Sequence, residues 1–529
     1  MNNKHKIISH IIIGLLLFAC GYILLNYTQL LYKVYYRYAS AHDMYSAVRN
    51  FTGFLVQGAL LLIVCIFFQK KMLVLILAVV ALSAFVHLSY EQILGGYIDA
   101  DVMSWLLSET RQATNALGEF LPAFVVTFIR VAALIILFIF SRKLLRPLIV
   151  SAQTTKQPSG LVAIVSSLAV VMVPGEMLRL VDLPQSNETS AYTLATHVLL
   201  ATDPQRATVD GHLSMGKPLV NKIVWLVDES ISAQGASIAL TASVQHHRPV
   251  DFGEVSSMGN CSAPSNAALR WGVNVMKVSP RSDLRTVPPI WAYAKQAGYS
   301  TTLIDGQVSG APQNMVWEPE RALIDSFVPA KDGIDTDLKI AEKVNVLLNR
   351  PGLDFIYVVL RGAHYAYESN YPKNLLSSNS TLLQKYVEAI RYSKQGFFEA
   401  LFLDVDRNQI AAIYTSDHGQ HLEEGKVPHC TLQPSADEYS VPLLAFFPEQ
   451  AWSYLKMPTD TDDLTGRSHS QIFSTTLWLM GYDQRYAEEN YDALLNMPTN
   501  RYVWFGRSFA PNSNTGIIEL HTSDKFPMR

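Results

Sequence analysis

Charge is scarce in this sequence, and no excess of either sign stands out. Charged residues make up 16% of the 529 positions, and 42 Lys and Arg against 45 Asp and Glu leave a formal net charge of −3. Without a basic patch or stripe there is nothing to hold a nucleic acid, so that class of partner is excluded. Internal repeats and low-complexity tracts are also absent. Cysteine is limited to four residues. What the chain does have is apolar length: mean hydropathy is +0.14, high for a purely soluble protein. The excess lies before residue 183, and the remainder of the chain reads as an ordinary globular sequence. The length leaves room for two or three domains.

A spanning helix needs roughly 20 apolar residues, and five segments qualify: 7–26, 51–68, 72–90, 120–140 and 161–178. A cleaved signal peptide is the rival reading of the first, with Ala-Ser-Ala at 39–41 as an A-x-A-like site. The distance of that site from the apolar run, and the four later spans, weigh against it. The basic flanks "MNNKHK", "QKK" (69–71) and "SRKLLR" (141–146) fall on alternate loops, which places that side in the cytoplasm. Basic residues between 33 and 49 oppose the rule, so it holds only in the majority. Five spans put everything after about residue 183 outside. Cys20 and Cys65 then lie in spans, and Cys261 and Cys430 lie where disulfides persist.

We expect a transmembrane domain at 1–182, a polar linker at 183–220 with one helix near 192–201, and an extracytoplasmic domain at 221–529. From 222 onward, short apolar runs alternate with helix-like stretches. "KIVWLV" (222–227), "STTLID" (300–305), "DFIYVVL" (354–360), "QIAAIY" (409–414) and "VPLLAFF" (441–447) read as buried strands. Helical patterns at 287–299 and 381–405 lie between them. This alternation predicts an α/β/α domain with a mostly parallel central sheet. In such sheets the ligand crevice lies beyond the carboxyl ends of the strands.

Chemistry-bearing residues come directly after three of the runs. Asp228, Glu229 and Ser230 come after the first, His364 after the third, and Asp417 and His418 after the fourth, with His429 eleven positions beyond. A single acid after a strand is more often a cap or turn residue, but three such ends at one sheet edge point to a site. Carboxylate oxygen with imidazole nitrogen suits zinc or manganese. The stretch "GNCSAPSNAALRWG" (259–272) adds small residues running into a helix. Ser262 or Ser265 there reads either as a helix cap or as a nucleophile activated by a neighbouring base or metal.

These residues together resemble a known family. "SAPSNAALRWG" is similar to the sulfatase signature Cys/Ser-x-Pro-Ser-Arg, with Ser262 in the nucleophile position. "DES", "GAHYAYESNYP", "TSDHG", "VPH", "RSHSQIFSTTLWLMGY" (467–482) and "AKQAGYSTTLIDGQ" (294–307) each resemble a segment of membrane phosphoethanolamine and phosphoglycerol transferases. The chain is thus identified as similar to a membrane-anchored phosphoethanolamine transferase of the alkaline phosphatase and sulfatase superfamily. The resemblance implies that Glu229, Ser262, Asp417 and His418 hold one divalent metal, Zn²⁺ first and Mn²⁺ or Mg²⁺ as alternatives. It implies that His364 and His429 bind phosphoryl oxygens or protonate the leaving group. It further implies transfer of phosphoethanolamine from phosphatidylethanolamine, through a covalent phospho-Ser262, to an envelope glycan or glycolipid such as lipid A or core sugar. The setting would be the bacterial inner membrane, with a monomeric chain and a periplasmic catalytic domain.

The chain also departs from the family. Ser262 stands where phosphoethanolamine transferases usually carry Thr, and only two outer cysteines are present where the lipid A enzymes have several disulfides. Asn266 replaces the Arg that sulfatases need to convert the nucleophile to formylglycine. Cys261 adjoins the nucleophile position and Cys430 the phosphate histidine. If those motifs meet at one metal, the two sulfurs could bridge; the alternative is two unpaired thiols. In the outer loop 100–120, Ser104, Ser108 and Gln112 share a helix face by their spacing, which resembles the family's polar helix near the lipid head; a solvated face is the plainer reading. The competing functions are phosphoglycerol transfer from phosphatidylglycerol, a membrane-anchored phosphodiesterase or sulfatase-like hydrolase, and a non-catalytic scaffold.

Overall fold

The computed structural model describes residues 2–39, 43–108, 120–149, 186–201, 204–377, 379–423, 427–431, 434–455, 466–504, 509 and 516–521, with isolated positions among 161–177. The chain separates into two compact units, Met1–Ala201 and Thr202–Phe526.

In the first unit, four helices among the described residues are long and apolar enough to cross a membrane: His5–Leu25, Met44–Phe67, Lys70–Leu94 and Leu121–Leu148. They match the first four expected spans; most of the fifth lies outside the described residues. Their ends are closed by side chains, because an orphaned helix-end carbonyl is costly where water is scarce. Asp43 accepts from the Ser46 amide at the start of the second helix. Arg142 donates to the Phe68 carbonyl at the end of the same helix, at 2.8 Å. Ser141 donates to the Gly14 carbonyl at 2.8 Å and ties the fourth helix to the first. The stretch 183–220, expected to be a linker, is divided between the units. Ser190–Leu200 forms a helix of the first, while Gly216 and Leu219 in the second donate backbone hydrogen bonds to Gly481 and Leu479.

The second unit is built on a seven-stranded sheet. Its strands are β1 (Lys222–Asp228), β2 (Val250–Ser256), β3 (Ser300–Asp305), β4 (Ser326–Pro329), β5 (Asp354–Val359), β6 (Ile410–Ser416) and β7 (Ser440–Phe446). Their order is β2-β7-β6-β1-β5-β3-β4. Only β7 runs against its neighbours, pairing antiparallel with both β6 and β2. Successive side chains of a strand point to opposite faces, and β1 shows the consequence. Ile223, Trp225 and Val227 join one apolar core with Trp291, Tyr357 and Phe473. Val224 and Leu226 join the other with Ile340, Ile356, Ile390 and Phe398. Each fully buried aliphatic of this kind contributes about 1.5–3 kcal/mol. A sheet covered on both faces is what turns β1, β5 and β6 into unbroken apolar runs.

Two strands of this sheet escaped the sequence reading, and both lie at its edges; the separate antiparallel pair Tyr502–Trp504 and Ile517–Glu519 escaped it as well. β2 carries Asp251, Gly253 and Glu254 and exposes several of its residues. β4 is four residues long and ends in Pro329. The helical pattern at 381–405 is two helices, Leu382–Lys394 and Phe397–Leu401, separated at Gly396 with φ +70°.

Candidate active site

The carboxyl ends of the central neighbours β6, β1 and β5 bring the polar groups together. β1 ends at Asp228 and delivers Glu229; β6 ends at Ser416 and delivers Asp417 and His418. The two strands are in parallel register, with Asp228 opposite Ser416. The backbone then turns sharply at Ser230, which has φ +62°, a strained conformation for a residue with a side chain. The turn lets the Ser230 amide donate to Asp417 Oδ1 at 3.0 Å, and the Ser230 hydroxyl donates to Glu229 Oε1 at 2.8 Å. After β5 the chain passes over this turn at Gly362, with φ +58°. A Cβ there would lie 2.4 Å from the Glu229 carbonyl, so only glycine allows the approach.

Ser262 begins the helix Ser262–Trp271. Its Oγ lies 3.2 Å from both Glu229 oxygens and 3.3 Å from His418 Nε2. Ser265, the rival candidate, is fully buried and donates to the Asp417 carbonyl. That places Ser265 as a strut and leaves Ser262 as the hydroxyl facing the cluster. Asn266 is held by Tyr357, which donates to its Oδ1 at 2.6 Å, and its amide donates to the Ser262 carbonyl at 2.9 Å.

The cluster is arranged for a cation. Donor atoms of Glu229, Asp417 and His418 lie within 4.8 Å of one another, and all three residues are buried. His418 donates through Nδ1 to the Gly419 carbonyl at 2.9 Å, which turns its Nε2 lone pair toward the carboxylates. Asp417 Oδ2 is buried with no hydrogen-bond partner, an orphaned acceptor that a metal would satisfy. Titration reflects the same crowding. Burial, with the like charge of Glu229, pushes the Asp417 carboxyl up to about 8. Burial opposes a charge on His418, but Asp417 and Glu229 outweigh it and raise the imidazole to about 9. Burial also opposes the Glu229 charge, yet its hydrogen bond with His418 and the nearby imidazoles hold it well below the usual carboxylate range. These donors, with Ser262 Oγ, fit a divalent ion that accepts oxygen and nitrogen.

His429 stacks on His418, with ring centroids 4.4 Å apart, and His364 lies 6.2 Å from His429. His364 Nδ1 bonds the Tyr365 carbonyl and His429 Nδ1 approaches Gln420 Oε1 at 3.4 Å, so each ring keeps Nε2 for another partner. Cys261 and Cys430 form a disulfide. His421 instead pairs with Glu423 and Asp437 near the surface. His469, in the "RSHS" segment, is buried and donates to Thr415 Oγ1 at 2.8 Å. In the first unit, Ser104 and Ser108 lie on the helix Ala100–Ser108; Gln112 lies outside the described residues.

Two residues at the site, Gln307 and Lys394, were not singled out from sequence. Gln307, just beyond β3, donates to Glu229 Oε2 at 2.6 Å. Its signal was its place at a strand's carboxyl end, the rule that located the others. Asp228 Oδ1 accepts from the Glu229 amide at 3.0 Å, and Lys394 neutralises Asp228 from a helix 166 positions away.

Residues 230–482 match the model of the sulfatase family. Over this segment the chain is similar to the sulfatase family. The segment carries Ser262, His364, Asp417, His418 and His429, and Glu229 directly precedes it. The membrane-embedded lipooligosaccharide phosphoethanolamine transferase A from Neisseria meningitidis is similar in structure over both units. It is 15% identical, covers 84% of this chain and 90% of its own, and has a TM-score of 0.54. The fold of the chain is therefore similar to that of this membrane-embedded transferase. The zinc complex of the periplasmic EptC domain from Escherichia coli is 17% identical and covers 60% of this chain and 96% of its own, with a TM-score of 0.47. The lipoteichoic acid synthase LtaP from Listeria monocytogenes is 13% identical, covering 56% and 81%, with a TM-score of 0.37. No curated protein sequence matches the chain.

Proposed function

We propose that this chain transfers phosphoethanolamine from phosphatidylethanolamine to a hydroxyl of an envelope glycan or glycolipid, lipid A or a core sugar, through a covalent phospho-Ser262. The observation that carries the reading is the placement of Ser262 Oγ 3.2–3.3 Å from Glu229 and His418, with two further imidazoles beside it. Glu229, Asp417, His418 and Ser262 would hold one divalent ion, zinc first, which when bound polarises a phosphoryl group and lowers the pKa of a hydroxyl. Ser262 Oγ attacks the phosphorus, the Oγ–P bond forms, and the bond to the diacylglycerol oxygen breaks. That oxygen takes a proton from His429 or His364, each of which presents Nε2. The acceptor hydroxyl then attacks the same phosphorus, gives its proton back to the imidazole and releases Ser262. Asn266, where a sulfatase needs Arg, fits a serine that stays a serine. The setting we propose is the bacterial inner membrane, with the second unit in the periplasm.

The test is intact-mass analysis of the metal-loaded full chain after incubation with labelled phosphatidylethanolamine or phosphatidylglycerol. An ethanolamine-phosphate adduct lost in Ser262→Ala is expected. A glycerol-phosphate adduct would reassign the donor, and free head group without any adduct would make the chain a hydrolase.

A further inference from the structure

The two oxygens of Glu229 are held differently. Oε1 accepts from the Ser230 hydroxyl at 2.8 Å and lies 3.4 Å from His418 Nε2. That nitrogen is in turn 3.7 Å from the orphaned Asp417 Oδ2. Oε2 instead accepts from Gln307 Nε2 at 2.6 Å. Ser262 Oγ, 3.2 Å from each, does not distinguish them. A carboxylate with both oxygens free can hold an ion through one of them or through both. Here one oxygen sits with the other metal donors and the second is engaged by an amide.

The Gln307 amide is not free to turn. Nε2 also donates to the Leu360 carbonyl at 3.1 Å, and Oε1 accepts from Gln313 Nε2. A flip would set the amide oxygen against two acceptors and leave Gln313 facing an N–H. The backbone there is placed by Gly306, whose amide donates to the Val359 carbonyl at 2.8 Å; a Cβ would lie 3.1 Å from that same oxygen. Gln313 is anchored as well. Asn314 and Met315, which follow it, have φ +59° and +61°, a costly conformation kept only where the surroundings impose it. Arg270 fixes this loop, donating to the Asn314 carbonyl at 2.7 Å and pairing with Glu320 at 2.7 Å. Trp271 and Trp291 donate to the same Glu320. A buried, strained loop thus backs one hydrogen bond to a carboxylate of the metal cluster, more than a turn by itself requires.

We infer that Gln307 is a positioning residue that reserves Glu229 Oε2, so that Glu229 offers an ion one oxygen and the site selects zinc. The role presupposes the divalent ion proposed above and nothing about the group transferred. With Oε2 engaged, the donors are one oxygen each from Glu229, Asp417 and Ser262 and one imidazole nitrogen. Those are the four positions that tetrahedral zinc takes. A released Oε2 adds a fifth donor, another oxygen, and moves the site toward manganese or magnesium, which take six oxygen-rich positions.

The experiment titrates Zn²⁺ and, separately, Mn²⁺ into the detergent-purified full chain against a fluorescent chelator, with no lipid substrate present. Gln307→Met keeps the side-chain length and removes both donors. It should weaken zinc binding by about 10–100-fold, the usual effect of losing a ligand's hydrogen-bond partner. Manganese should weaken less, narrowing the zinc-to-manganese affinity ratio by about tenfold. Gln313→Met leaves Gln307 within reach of Glu229 but free to turn, and should narrow the ratio by a smaller factor. Where Q307M does not fold, Q313M decides. A ratio that does not narrow in the deciding variant overturns the inference; equal weakening of both metals would make Gln307 a structural strut. A wild type that binds neither ion would sink the metal half of the proposed function along with it. A wild type that binds zinc but forms no Ser262 adduct would sink the transferase reading alone.

Discussion

Cys261 and Cys430 are joined by a disulfide between residues 169 positions apart, tying the position before Ser262 to the position after His429. The bond spans the proposed nucleophile and one proposed acid, while Glu229, Asp417 and His418 sit on strand ends that do not depend on it. Removing such a link costs about 2–4 kcal/mol by widening the unfolded ensemble. The Cys261→Ser/Cys430→Ser chain is therefore expected to melt lower, to form the Ser262 adduct more slowly, and to keep its metal. Reductant should lower the melting temperature of wild type and leave the double variant unchanged, which a differential scan measures directly.

The two imidazoles outside the metal cluster give a sharper test of roles. His364 and His429 present Nε2 and are neither buried in the carboxylate cluster nor needed to hold it. General acid–base groups contribute about 10²–10⁴-fold. His364→Ala and His429→Ala should each lose a factor in that range with metal content intact, while Asp417→Asn should lose the metal itself. Elemental analysis beside turnover separates these outcomes. Loss of metal in H364A would place that residue among the ligands instead.

Much of this arrangement was legible in the sequence, for an identifiable reason. β1, β5 and β6 are buried on both faces, so they read as apolar runs, and the residues after them are the site. β2 and β4 are edge strands, where exposed Asp251, Glu254 and a terminal Pro329 erase the pattern. Gln307 comes after Asp-Gly and reads as a turn. Only the sheet order, with β3 next to β5 and β5 next to β1, brings it to Glu229. The choice between Ser262 and Ser265 likewise needed the helix orientation, since either can cap a helix.

Acid sensitivity should trace in part to His469. It is buried, its Nδ1 has no partner, and burial alone lowers it to about 3. An unfolded His titrates near 6.5, so the native state binds fewer protons below that value. Stability is therefore unaffected above about pH 6.5 and falls as pH drops toward 3, by about 1.4 kcal/mol per unit for this one group. Thermal scans between pH 7 and 5 should show a smaller decline in His469→Gln than in wild type. An equal decline would assign the sensitivity to other groups.

The last prediction concerns Lys394, which lies 2.8 Å from Asp228 Oδ2 and 2.7 Å from Asp337 Oδ2, with all three side chains at most 1% exposed. Asp337 in turn accepts from the amides of Arg361 and Gly362, the turn leading to His364. Asp228 accepts from the Glu229 amide and from the Tyr414 hydroxyl. One ammonium therefore holds the backbone that presents a metal ligand and the backbone that presents an acid. Breaking a buried pair by removing one partner costs about 3–5 kcal/mol, because the remaining charges are left uncompensated. Lys394→Met should lose about that much. At temperatures where it remains folded, it should bind metal more weakly, since Glu229 loses its fixed approach. The double variant Lys394→Met/Asp228→Asn removes one of the two stranded charges and should recover part of the stability. Were K394M alone as stable as wild type, the network would be a bystander, and the order of the Glu229 and His364 turns would have to come from Ser230 and Gly362.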